Sequence, residues 1–474
     1  MPRRNIGLLL ITAVFGLQGC SSPSLSPWHT EKLTEEYVAG DSDEVRTFED
    51  YLELEDRVFE ELEEKVYSQV ETGPEYGLVR YSSESKADPQ SYKTNWNRSF
   101  EFEQDAPAGG VLLLHGMSDS PYSLHALAKT LAEENYWVIG LRMPGHGTAP
   151  SGMKYIKPED MIAVTELAMA HLSASVGDKP IHVVGYSTGA ALALNFTLDV
   201  ADGLTSPMPA SLVLVSPAIR IHSAASLASF KRGASAVPGL GGLAWLSVMP
   251  EFDPYKYNSF ATNAADVVHA LTRAVDGRIA ARASAGPITT LPPILVIKSA
   301  VDATVTTDAV VDNLLSLLEP NENVLVLFDV NRYASKATLL VKDPGPLTKR
   351  LMEDQSLPFG LTVIANRDAD SLGVVARHKA PLSLEVTEKS LDGLSWPANV
   401  FSLSHVALPF PPDDPLYGIN PPAGDETLHL GDIPMRGERD INAIPGEWLL
   451  RMRFNPFYEV LETRVLEWME ASSN

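Results

Sequence analysis

Gly185-Tyr186-Ser187-Thr188-Gly189 follows the apolar run Ile181-His182-Val183-Val184 and opens the small, helix-forming stretch Ala190-Ala191-Leu192-Ala193-Leu194. A G-x-S-x-G pattern between a buried strand and a helix reads as a sharp turn. Its glycines let the backbone pass close to its neighbours, and its serine is lifted clear of the strand end. A serine hydroxyl is a weak nucleophile, so the pattern carries chemistry only with a base, an acid to orient the base, and N–H donors for a developing oxyanion.

Candidates for each flank the turn. Upstream, Gly110-Val111-Leu112-Leu113-Leu114 reads as a buried strand running into His115-Gly116-Met117-Ser118-Asp119. The backbone N–H groups of Met117, in that loop, and of Thr188, just after the serine, are the candidate oxyanion donors. Downstream, Pro293-Ile294-Leu295-Val296-Ile297 reads as another buried strand, with Asp302 just past its end where an orienting acid belongs. His378, His405 and His429 follow it. His405 has the best setting, directly after the strand-like run Val400-Phe401-Ser402-Leu403; His378 is its rival. His115 and His146 read as loop-ordering residues, and His182 as a residue packed within the sheet.

The chain order Ser187, Asp302, His405 behind an early His-Gly loop resembles the α/β-hydrolase superfamily. The segment Leu141-Arg142-Met143-Pro144-Gly145-His146-Gly147 sharpens the likeness toward its monoacylglycerol-lipase-like, serine-aminopeptidase-like (S33) branch. The resemblance implies an α/β fold: an eight-stranded, mostly parallel sheet with helices on both faces and an inserted cap. It also implies hydrolysis through an acyl-serine intermediate, with Ser187 as nucleophile, His405 as base and then acid, and Asp302 as orienter. Carboxylic esters with apolar acyl chains, or lipids, are the expected substrates. An S33-type peptidase and a non-catalytic envelope lipoprotein that binds through this fold are the alternatives, because one fold hosts many functions.

At 474 residues the chain exceeds one plain domain of this kind. Residues 1–19 read as a secretory leader: Arg3 and Arg4, then the apolar run Ile6 to Leu17, shorter than the roughly twenty residues a spanning helix needs. Leu17-Gln18-Gly19-Cys20 resembles a bacterial lipobox, which implies lipidation of Cys20, the only cysteine, and attachment to the envelope, at the outer membrane facing the periplasm. Residues 20–98 read as a Ser/Pro-rich tether and an acidic amphipathic helix through Phe48, Tyr51, Leu52, Leu54, Val58, Phe59, Leu62, Val66 and Val70 that docks on the core. Residues 99–474 form the hydrolase domain, with a cap over about 219–290, rich in aromatics such as Phe230 and Trp245, and a further insertion over about 330–397. Two runs compete for the last core strand, Val324 to Phe328 and Val400 to Leu403. The second is preferred because it leads straight into His405.

A formal net charge of −24, becoming −26 once Arg3 and Arg4 leave with the leader, disfavours nucleic acid and anionic head groups as partners. No phosphate-binding loop, dinucleotide fingerprint or Cys/His metal cluster is present in the sequence, so neither cofactor nor metal is expected.

Overall fold

The computed structural model describes residues 25–41, 44–219, 241–302, 305–320, 322–334, 343–398, 400–422, 428–431 and 453–473. Its strands are β1 Phe100–Phe102, β2 Gly109–Leu114, β3 Tyr136–Leu141, β4 Ile181–Tyr186, β5 Ser211–Val215, β6 Trp245–Ser247, β7 Phe260–Ala261, β8 Ile294–Ser299, β9 Val324–Phe328, β10 Gly360–Asn366, β11 Gly373–Lys379 and β12 Val386–Ser395. All but the β6–β7 hairpin form one sheet in the order β1-β3-β2-β4-β5-β8-β9-β10-β11-β12. From β3 to β10 every pair is parallel. β1, β11 and β12 join antiparallel at the two edges. This is the α/β-hydrolase fold.

β2, β4, β5 and β8 are buried at every position. That explains why their sequences are continuous Val/Ile/Leu runs and not alternations: helices cover both faces of the sheet. Pro158–Val176, Thr188–Ala201 and Thr262–Ala283 supply apolar residues to one layer, and His125–Glu133 with Tyr458–Ala471 to the other. The chain order reverses at β2, whose neighbours β3 and β4 come later on opposite sides. Crevices for ligands open at such a switch point, beyond the carboxyl ends of the strands.

The expected eight strands become ten, and the last core strand is not the preferred one. β9, the earlier run, lies inside the sheet, while Val400–Leu403 form no strand. Leu361–Ala365, within the expected insertion over about 330–397, lie in β10, which takes the place beside β9 that the later run would have needed. Displaced from the sheet, the 400–403 segment satisfies its backbone on the loop after β9: the Asn331 amide N–H donates to Phe401 O at 2.7 Å and its side chain to Val400 O at 2.6 Å. Apolar content alone could not distinguish a strand from an extended loop tied down by one asparagine.

The acidic helix spans Phe48–Lys65, capped by Thr47 and Asp50. It buries Phe48, Tyr51, Leu54, Val58 and Leu62 in the main core. Within the expected cap, Thr262–Ala283 is a crossover helix that buries Val267, Leu271, Val275 and Ile279 in the same core. The β6–β7 hairpin instead joins a separate cluster of Met153, Trp245, Tyr257, Ala261 and Ala264. Phe230 lies outside the described residues, as do the leader and Cys20.

Candidate active site

Ser187 stands between β4 and the helix Thr188–Ala201 with φ +54° and ψ −112°, a left-handed conformation that costs a non-glycine residue about 1–3 kcal/mol. Packing imposes it. A side chain at Gly185 would strike the backbone of Ala190, and one at Gly189 the carbonyl of Leu114. The turn is therefore pressed between its own helix and β2. Its backbone is pinned by Ser187 N–H to Val215 O at 2.9 Å and Ala218 N–H to Ser187 O at 3.1 Å. Ser187 keeps partial exposure while every residue from Ile181 to Tyr186 is buried.

The His-Gly loop lies directly against it. A methyl group built on Gly116 would stand 3.2 Å from Ser187 Cβ. Thr188 opens its helix, so its N–H has no acceptor within that helix. Met117 follows Gly116, and its sulfur meets His146 Nε2 at 3.2 Å, while His146 Nδ1 donates to Pro144 O at 3.0 Å. His115 accepts from Met143 N–H at 3.1 Å. Burial holds His115 well below the usual imidazole range and His146 down at about 4, so both are neutral struts of the loop.

The structure brings Asp302 and His405 together across 103 residues: His405 Nδ1 lies 2.8 Å from Asp302 Oδ2, and both side chains are buried. The elbow reaches the same place, because Tyr186 OH donates to His405 O at 3.4 Å and the two rings lie 5.4 Å apart. Burial works to raise the Asp302 carboxyl. The charges of His405 and Lys298, with hydrogen bonds from His405 and from Val305 N–H, outweigh it and hold Asp302 well below the usual carboxylate range. An ionised Asp302 only accepts, so Nδ1 carries the proton and Nε2 is left as the basic nitrogen.

The rival His378 sits in β11 with Nδ1 3.0 Å from Thr362 Oγ1. His182 bridges Ser211 and Ser473 within the sheet layer. Two groups escaped the sequence reading. Asp119, in the His-Gly loop, pairs with Lys256 at 2.6 Å across 137 residues, a contact no local pattern announces. Lys298 does have a signal: it is the one charge in the buried run Ile294–Ser299. Among the described residues no cluster of His, Cys, Asp or Glu fits a metal ion.

Parts of the chain are similar to known proteins. Residues 105–309 match the family described as Serine aminopeptidase, S33. A thermostable monoacylglycerol lipase of Bacillus sp. (strain H-257) is 33% identical over 93 residues, 20% of this chain. The match spans 36% of that relative's length. Among solved structures, a monoacylglycerol lipase of Paleococcus ferrophilus is 16% identical with a TM-score of 0.37, covering 48% of this chain and 87% of the other. Est1E of Butyrivibrio proteoclasticus with bound ferulic acid is likewise 16% identical, with a TM-score of 0.34 over 48% of this chain and 85% of the other. The chain has the α/β-hydrolase fold and is similar over residues 105–309 to the S33 family and, over 93 residues, to a monoacylglycerol lipase.

Proposed function

We propose that this α/β-hydrolase is a serine carboxylic-ester hydrolase acting on apolar acyl esters, with Ser187 as nucleophile, His405 as general base and then acid, and Asp302 as its orienter. The observation that carries it is the 2.8 Å contact of His405 Nδ1 with Asp302 Oδ2 beside a strained serine turn. In the first half-reaction Ser187 Oγ attacks the ester carbonyl while its proton passes to His405 Nε2. Asp302 then faces an imidazolium, and the carbonyl oxygen takes up negative charge toward the N–H groups of Met117 and Thr188. Collapse returns the proton from Nε2 to the leaving alcohol. Water repeats the sequence on the acyl-serine and frees the acid.

A peptidase would need an acid for a substrate's amino terminus, and of the candidates Glu251, Asp253 and Asp266 in the cap region, the first two are already engaged, which favours the ester reading. Glu251 accepts the N–H groups of Asn258 and Ser259, and Asp253 accepts Tyr417 OH on both oxygens, so both serve the cap loop itself. Met117 packs against the buried apolar cluster of Met153, Trp245 and Tyr257, which makes the surroundings of the His-Gly loop apolar on that side. Lipid attachment at Cys20, and with it the envelope location, belongs to the proposal on its sequence pattern alone.

Ser187→Ala abolishes labelling by a fluorophosphonate and lowers ester turnover by about 10³-fold or more, with an unchanged circular-dichroism spectrum. A Ser187→Ala protein that still takes the probe overturns the assignment.

A further inference from the structure

Lys298 is fully buried near the end of β8, and the chemistry above does not use it. Its ammonium donates to Val305 O at 2.6 Å and lies 3.6 Å from Asp302 Oδ2, the oxygen that meets His405 Nδ1. Val305 N–H returns a hydrogen bond to Asp302 Oδ1 at 3.1 Å. The lysine therefore ties both ends of the turn that carries the acid. Burying an ammonium is costly, and an apolar residue of similar volume is often as stable or more so where a buried pair serves only the fold. Every other residue from Ile294 to Ile297 is apolar.

We propose that Lys298 is a positioning residue of the Asp302–His405 pair: it fixes the turn that aims Oδ2 at the imidazole and offsets part of the carboxylate's charge there. The inference rests on the hydrolase reading above. As Ser187 gives up its proton, the imidazolium is favoured by Asp302 and opposed by Lys298. Among the described residues, Asp119 from the His-Gly loop, itself paired with Lys256, and Tyr186 from β4, whose hydroxyl donates to the His405 carbonyl, also face His405. Neither changes when Lys298 is replaced. Removing only the lysine's charge makes the imidazolium easier to form, so the acidic limb of kcat/KM moves to higher pH.

The test uses the full chain with a short acyl ester, read as kcat, KM and the kcat/KM profile between about pH 5 and pH 9. Lys298→Met shifts the acidic limb upward by about one pH unit and lowers kcat about tenfold, with KM little changed. Lys298→Gln, a neutral residue that keeps an N–H donor, gives the same limb shift and serves if the Met variant does not fold. Lys298→Arg restores the charge and returns the limb toward its original position. Lys379 is equally buried, and its ammonium donates to Leu351 O and Asp354 O in another part of the fold. Lys379→Met therefore loses stability but keeps the original profile. In an Asp302→Asn background, Lys298→Met costs little further, because the group it positions is gone.

Limbs of Lys298→Met and Lys298→Gln that coincide with that of the unaltered protein overturn the inference. So does a loss from Lys298→Met that is undiminished when Asp302 is already Asn. Fluorophosphonate labelling of the unaltered chain is read first. Its absence overturns the hydrolase reading, whereas labelling with unmoved limbs overturns the role of Lys298 alone.

Discussion

Two buried aspartates near the site show how partners and not burial alone decide a charge. Asp302 faces Lys298 and His405 and stays ionised. Asp414 accepts Tyr122 OH and the N–H groups of Leu416 and Tyr417 on Oδ1, while Oδ2 has no hydrogen-bond partner among the described residues. Burial pushes its carboxyl up to about 6, against those hydrogen bonds. His125 Nε2 lies 4.0 Å from Oδ2, but burial lowers that imidazole to about 3, so the two never form an ion pair. An acid raised in the folded state adds stability that is present below its unfolded value near 4 and is lost as pH rises through about 6. Asp414→Asn, neutral at every pH, is therefore expected to raise the denaturant midpoint at pH 8, by up to roughly 3 kcal/mol, with little gain at pH 4. Equal effects at both pH values would contradict it. The sequence displayed Ser187, Asp302 and His405 because each stands at the end of an apolar run or next to one. Asp119, Lys256 and Asp414 take their roles from contacts more than a hundred residues apart, which no local spacing encodes.

Among the elements, the N-terminal extension is bound to the hydrolase core by charge as well as by apolar packing. Arg142, fully buried after β3, meets Glu36 at 3.0 Å and Glu55 of the helix Phe48–Lys65 at 3.5 Å, while Tyr51 OH donates to its carbonyl. The same guanidinium donates to the carbonyls of Met143 and His146, so the extension braces the loop whose histidines support Met117. Burial raises the Glu36 and Glu55 carboxyls, and Arg142 pulls them back. Without the guanidinium the two acids face each other unpaired. Arg142→Met should cost about 3–5 kcal/mol in urea unfolding, and Glu55→Gln clearly less because Glu36 still answers the arginine. Similar losses for the two would show that the contacts act independently. The helix itself was legible, since a stripe at helical spacing among acids has few other uses. The fate of the run at 400–403 was not, because sheet membership depends on which segment pairs with β9, and that segment is β10.

At the scale of the whole molecule, the partners of the acids and the apolar packing around Met117 bear on whether the proposed enzyme cleaves an ester or an amide. The chain carries 61 acidic residues, so an acid near the cap means little until its partners are known. Glu251 and Asp253 turn out to hold the loop between β6 and β7, and Lys256 pairs with Asp119 near Ser187. Those three acids are therefore already engaged and are not spare anions for a substrate's ammonium group. The side chains packed against Met117 are apolar and aromatic, the buried Trp245, Tyr257 and Met153, with Phe260 and Val248 beside them. An acyl site in such surroundings gains about 0.8 kcal/mol for each methylene it buries, close to fourfold in kcat/KM per carbon until it is full. Acyl esters of increasing length should therefore rise in kcat/KM from acetyl through the medium chains and then level off, with little turnover of aminoacyl amides. The steps should appear in kcat/KM even where kcat is flat, because burial of the chain is shared by ground state and transition state. A profile independent of chain length, together with cleavage of amino-terminal amides, would reject the ester assignment and favour the peptidase.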